Sequence, residues 1–268
     1  MRKIINSIQN PLIKEIIQLK DKSRIRKKKG LFIVEGLREI TLALKGDYKI
    51  KSILFCEEII SSDVVDELVN SSNENIEIIE ISKIVYQKIA HRKTTEGIIA
   101  IMNSKRQVLN DLSLGSNPLV LIIEAPEKPG NLGALLRTAD AANLDAVVIA
   151  NPKTDLYNPN IIRSSVGCVF TNSIAMGSTT EIIEFLNQKN IKIYAAALSE
   201  QSQDYSKIDY KKPSAIVVGT EATGLSEDWL THATQRIIIP MEGEIDSLNV
   251  SVSAAIVIFE AKRQRKTN

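Results

Sequence analysis

The chain has 268 residues, 44% hydrophobic and 25% charged, with a formal net charge of +2, an ordinary balance for a soluble globular protein and enough length for a sizeable core and two domains. The opening "MRKIINSIQNPLIK" lacks the apolar run and small-residue cleavage site of a signal peptide, and no uninterrupted apolar stretch reaches membrane-spanning length, so a cytoplasmic protein is expected. Cys56 and Cys168 sit among apolar neighbours and read as buried reduced thiols, and with only His91 and His232 beside them no metal-ligand spacing appears.

The first predicted element is an amphipathic helix with Asn10 as cap, Pro11 in its first turn, and Leu12, Ile13, Ile16 and Ile17 facing inward. Directly after it, "KDKSRIRKKK" (20–29) holds seven basic residues and one acid. Charge alone leaves two readings open there, a solvated turn or an arm that contacts nucleic-acid phosphates. Short strands follow at 31–34, 50–56, 76–81 and 97–103, separated by helical patterns at 35–45, 63–70 and 83–91. Together these predict a small α/β domain over 1–105. A polar stretch at 106–117 reads as a linker.

From 118 to 268 strands and helices alternate again, with strands expected at 119–125, 145–150, 191–198, 214–219 and 236–241. The last helix, "VSVSAAIVIFEAKRQRK", is apolar on nearly all sides over 250–259 and basic only at its end. Such a helix must be covered on several faces, so it is either central to its domain or packed against another subunit.

Three loops leave these strands. In the first, "EKPGNLGALLRTADA" (127–141), Gly130 and Gly133 lack the earlier glycine of a dinucleotide fingerprint, and no acid closes the second strand, which ends at Asn151. The Gly-Lys-Ser/Thr ending of a P-loop is missing as well, and a KH-type clamp would join two helices. The second loop, "VVGTEATGLSEDWL", carries Glu221 in a polar turn, and the third, "IIIPMEGEIDSLNVSVSAA", enters the final helix through Ser247, Leu248 and Asn249. Each loop taken singly has an ordinary explanation: glycine and proline punctuate strand ends, and Asn131 or Asn249 could cap a helix.

In this order the three resemble the SpoU (TrmH-like) family of RNA 2′-O-ribose methyltransferases, of the SPOUT class. The resemblance rests on Asn131-x-Gly133-x-x-x-Arg137, Gly219-x-Glu221-x-x-Gly224-Leu225, and Ile239-Pro240 followed by Ser247-Leu248-Asn249-Val250-Ser251-Val252. Ala222 stands where members often have a second glycine, and its small side chain is expected to preserve the turn. The amino-terminal half is similar to the substrate-binding domain that many members carry, which resembles RNA-binding ribosomal proteins; "KKKGLFIVEG" (27–36) carries that similarity.

The resemblance implies a trefoil-knotted, mostly parallel sheet in the carboxyl-terminal domain and a homodimer through that domain. It implies S-adenosylmethionine as cofactor, held on the loops around Gly219, Ile239, Met241 and Leu248. It implies catalytic roles for Asn131, Arg137, Glu221, Ser247 and Asn249, with structured RNA as substrate, 23S ribosomal RNA before transfer RNA. A ribosome-assembly factor that binds RNA without catalysis is the competing class. The family reading also turns the basic run toward RNA, with Arg26, Lys27 and Lys28 expected on phosphate. With aromatic residues at 4%, recognition should lean on phosphate, 2′-hydroxyl and shape contacts.

Overall fold

The computed structural model describes residues 2–70, 76–91, 96–220 and 223–266. They form two compact units, Met1–Arg106 with Asp155–Thr171, and Gln107–Thr154 with Asn172–Asn268.

The first unit runs β1 (Lys3–Ile5), α1 (Pro11–Asp21), α2 (Ser23–Lys29), β2 (Leu31–Glu35), α3 (Leu37–Lys45), β3 (Ile50–Phe55), α4 (Ser62–Asn70), β4 (Glu77–Ile81), α5 (Lys83–Ile89) and β5 (Ile98–Asn103). Its sheet has the order β1-β4-β3-β5-β2, parallel from β1 through β3 and antiparallel around β5. The start of α1 is fixed as the sequence predicts: the Asn10 side chain accepts the Leu12 N–H at 2.9 Å, and Pro11 occupies the first turn. Ile13, Ile16 and Leu19 form its buried stripe, with Leu12 and Ile17 partly buried beside them. The basic run is no turn. It spans the end of α1 and all of α2, which Gly30 stops in the left-handed conformation at φ 62°.

The second unit runs β6 (Leu119–Glu124), α6 (Pro129–Ala141) and β7 (Ala146–Ala150). The crossover that follows, including α7 (Pro159–Ser164), belongs to the first unit. The second then resumes with β8 (Ile174–Gly177), α8 (Thr179–Gln188), β9 (Lys192–Ala196), β10 (Gln203–Asp204), β11 (Ser214–Val218), α9 (Glu227–His232), β12 (Gln235–Ile238) and α10 (Val250–Lys266). All seven strands pair in parallel, in the order β10-β12-β9-β11-β6-β7-β8. β6, β7 and β11 are buried throughout, which is why they read as unbroken apolar runs rather than alternating patterns. β7 and β8 lie to one side of β6 and the later strands to the other, so strand order reverses beside β6. In open parallel sheets a reversal of this kind opens a crevice at the carboxyl ends of the strands.

Two stretches differ from their sequence reading. Residues 107–114 do not hang as a linker: the Met176 N–H donates to the Gln107 carbonyl at 3.0 Å, and Leu109, Leu112 and Leu114 pack partly buried on the second unit's core. The segment Asp155–Thr171, read as a continuous part of 118–268, completes the first unit. There Tyr157 stacks on Phe32 with ring centroids 4.2 Å apart, and Phe170 meets Tyr48 at 5.0 Å. Such ring pairs contribute roughly 1 kcal/mol each beyond the area they bury. No helix among the described residues is long and apolar enough to cross a membrane, and no His, Cys, Asp and Glu group among them could hold a metal.

Candidate active site

At the carboxyl ends of β9, β11 and β12 the second unit encloses an open cavity of about 770 Å³. Gly219, Ile239, Met241 and Leu248, the four positions expected to hold a cofactor, all line it. Ser247 and Asn249 line it too. The cavity lies within the size range of small-molecule sites, and its walls combine strand-end backbone with apolar side chains.

Gly219 begins the β11 loop because no side chain fits there: a Cβ would stand 2.3 Å from the Gly224 carbonyl oxygen. The loop closes on itself through Thr220 N–H to Gly224 O at 3.1 Å and Gly224 N–H to Thr220 O at 3.0 Å, with Gly224 at φ 66°. Glu221 and Ala222 lie outside the described residues.

On the third loop the Ser247 hydroxyl donates to Asp246 at 3.0 Å. Asn249 caps α10, its side-chain oxygen accepting the Ser251 N–H at 3.0 Å and the Ser251 hydroxyl at 2.6 Å. That leaves its amide N–H₂ to donate, and it reaches the Asn131 side-chain oxygen at 3.3 Å. Capping and site-building are therefore the same act at Asn249. Asn131 is no cap; Lys128 holds that position, and Asn131 sits half-buried in the first turn of α6.

Arg137 follows Asn131 by about 9 Å along α6 at the helical rise per residue. It is exposed, does not line the cavity, and has no ion pair or hydrogen bond among the described residues. The structure thus brings Asn131, Ser247 and Asn249 together with the cavity. Arg137 is left with its charge presented to solvent.

The sequence reading missed Glu124, the last residue of β6. Its carboxylate is 6% exposed and accepts the Ser226 N–H at 2.8 Å, the Ser226 hydroxyl at 2.7 Å and the Thr179 hydroxyl at 3.4 Å. A lone acid ending an otherwise apolar strand was the available signal.

In the first unit the expected phosphate contacts divide. Arg26 is 4% exposed: Nε pairs with Asp155 and one terminal nitrogen donates to the Leu19 and Lys20 carbonyls at 2.6 and 2.9 Å. It ties α1 to α2 and faces away from solvent, so its expected place on phosphate is corrected. Lys27 and Lys28 are exposed.

A profile of the SpoU rRNA Methylase family matches residues 118–259, and one of the MRM3-like substrate binding domain matches residues 10–100. The 23S rRNA (guanosine(2553)-2′-O)-methyltransferase RlmP of Bacillus subtilis is 30% identical over 97% of this chain and 99% of its own length. The tRNA (guanosine(18)-2′-O)-methyltransferase of Thermus thermophilus is 36% identical over 60% of this chain and 82% of its own. Among solved structures, an AdoMet-bound rRNA methyltransferase from Sinorhizobium meliloti matches with a TM-score of 0.89 at 28% identity, covering 97% of each chain.

Proposed function

Because the chain belongs to the SpoU rRNA methylase family, we propose that it transfers a methyl group from S-adenosylmethionine to a ribose 2′-hydroxyl of RNA, with 23S ribosomal RNA as substrate. The observation that carries this reading is the convergence of Gly219, Ile239, Met241 and Leu248 on one cavity, whose wall residue Asn249 also reaches Asn131. Ribosomal RNA is favoured over transfer RNA because the similarity to the 23S enzyme runs through both units, whereas the tRNA enzyme covers 60% of the chain.

The cavity suits the cofactor in size and in the chemistry of its walls. Gly219, Ile239, Met241 and Leu248 would hold it, and when bound it supplies a methyl carbon on a sulfonium cation. The ribose oxygen must then be held in line with that carbon. The ribose hydroxyl that takes the methyl group would give its proton to water or an RNA phosphate oxygen. A guanidinium keeps its protons at neutral pH, so Arg137 serves by charge, anchoring a phosphate and stabilising the developing alkoxide. Asn131, Ser247 and Asn249 orient these groups by hydrogen bonding, and Glu221 is proposed in the same shell. The first unit recruits RNA through Lys27 and Lys28.

The same reading includes a knotted second domain, a cytoplasmic location and a homodimer through α10, where Val252 and Phe259 remain 47% and 51% exposed. Light scattering at micromolar concentration should report the dimer. For the activity itself, calorimetry with S-adenosylmethionine comes first, followed by mapping of ribose methylation in ribosomal RNA from cells with and without the gene. A chain that binds RNA and no cofactor would be the assembly factor instead. A lost methyl group in transfer RNA would move the substrate.

A further inference from the structure

We infer that Glu124 is a positioning residue: through Ser226 its buried carboxylate fixes the exit of the 219–225 loop and so holds one wall of the cavity in its binding shape. The inference deepens the methyltransferase reading and rests on it. The described ends of the loop are tied to each other, because Thr220 and Gly224 exchange backbone hydrogen bonds and the Thr223 N–H donates to the Thr220 hydroxyl at 3.0 Å. This tied neck is held at two ends. One end is β11, paired on both sides. The other is Ser226, directly after Leu225.

Ser226 stands at the N-cap of α9, where a serine hydroxyl ordinarily accepts a backbone N–H of the helix's first turn. Here no such cap is made. The hydroxyl and the backbone N–H of Ser226 both donate to Glu124 instead. A second arm braces the carboxylate from the other side, since Asn151, just after β7, donates to the Thr179 hydroxyl at 2.9 Å and Thr179 to Glu124. A carboxylate taken out of water is costly unless its lone pairs are met, and no cation pairs with this one among the described residues. A leucine or isoleucine would fill the end of β6 at less cost. What the acid adds is a fixed link between β6 and the loop whose residues Gly219, Thr220, Thr223, Gly224 and Leu225 line the cavity. Glu124 does not line it, so it acts through the loop.

The test uses the whole 268-residue chain and two variants, Glu124→Gln and Ser226→Ala; the second keeps the acid and removes one exposed serine's hydroxyl, so folding is not at stake. Hydrogen exchange in the ligand-free protein should speed up about tenfold at the Thr220 and Gly224 amides in both variants, as expected for loss of a partly buried hydrogen bond to a carboxylate, and stay unchanged in β6 and β7. Calorimetry with S-adenosylhomocysteine should show the Kd rising about tenfold with the number of sites per chain kept. A purely structural role predicts the reverse, fewer competent sites with an unaltered Kd and unaltered local exchange, and would overturn the inference. Failure of the wild-type chain to bind S-adenosylhomocysteine would overturn the methyltransferase reading instead, while the exchange data still judge the link from Glu124 to the loop.

Discussion

Arg26 and Asp155, 129 residues apart in the chain, form an ion pair with side chains 4% and 8% exposed. Removing one partner of such a pair strands the other charge out of water, at a cost of about 3–5 kcal/mol. Asp155→Ala is therefore expected to lower the urea midpoint of the first unit, followed by its tyrosine near-ultraviolet dichroism. A fragment of residues 1–106 loses Asp155, Tyr157 and Phe170 together and should show no cooperative transition. A sharp native-like transition in that fragment would make the 155–171 segment dispensable.

Because Arg26 is buried, RNA contact on α2 is testable without unfolding the unit. Lys27→Glu with Lys28→Glu should weaken RNA binding and reduce the slope of log K against log salt by about 2, since each phosphate contact contributes about one unit. Titrations from low to moderate salt measure it. An unchanged slope would leave both lysines simply solvated.

Arg137→Ala should depress single-turnover methylation at saturating RNA and cofactor far more than it raises the Michaelis constant, as expected for a group acting in the transition state. Arg137→Lys keeps the charge and loses the planar fork, so little rescue is expected. Cofactor affinity should hardly move, because Arg137 does not line the cavity. Near wild-type turnover in Arg137→Ala would reduce the arginine to a surface residue.

On α10, hydrogen bonds from Arg263 and Gln264 hold the Glu260 carboxyl down at about 2, against an ordinary 4.5. A carboxyl whose folded pKa is depressed stabilises the fold above its ordinary pKa and loses that contribution as pH falls toward the folded value. Wild type should therefore exceed Glu260→Gln in urea midpoint at neutral pH, with the gap closing between pH 4.5 and about 2. The gap is expected to be small, since Arg263 is mostly exposed. A gap that is independent of pH would assign the difference to packing.

What could be read in the sequence was what is local. The Asn10–Pro11 start of α1, the apolar strands and the three glycine- and proline-marked loops all carry their signal within a few residues. The α2 helix escaped because eight charges in ten residues leave no apolar stripe; the lysines before Gly30 were its one local sign, a basic last turn closed by a left-handed glycine. Arg26 could not be told from its basic neighbours, because Asp155 is what makes it different. Ser226 has the type and place of a cap, and only the nearness of Glu124 redirects its hydroxyl. Lys3–Ile5 and Ile174–Gly177 are strands too short to show a period.

The completion of the first unit by Asp155–Thr171 also sets a schedule for the growing chain. Domains commonly fold in order as they leave the ribosome, at roughly 5–20 residues per second, but this one cannot close when its own amino-terminal residues are done. Phe32 and Tyr48 must wait for Tyr157 and Phe170 to be made, a delay of seconds during which β6, α6 and β7 are already available to pair. The nascent first half is thus exposed, with an unfilled aromatic seat, for longer than its position in the chain suggests. A circular permutant opened within the second unit, placing 155–171 ahead of residue 1, would shorten that wait.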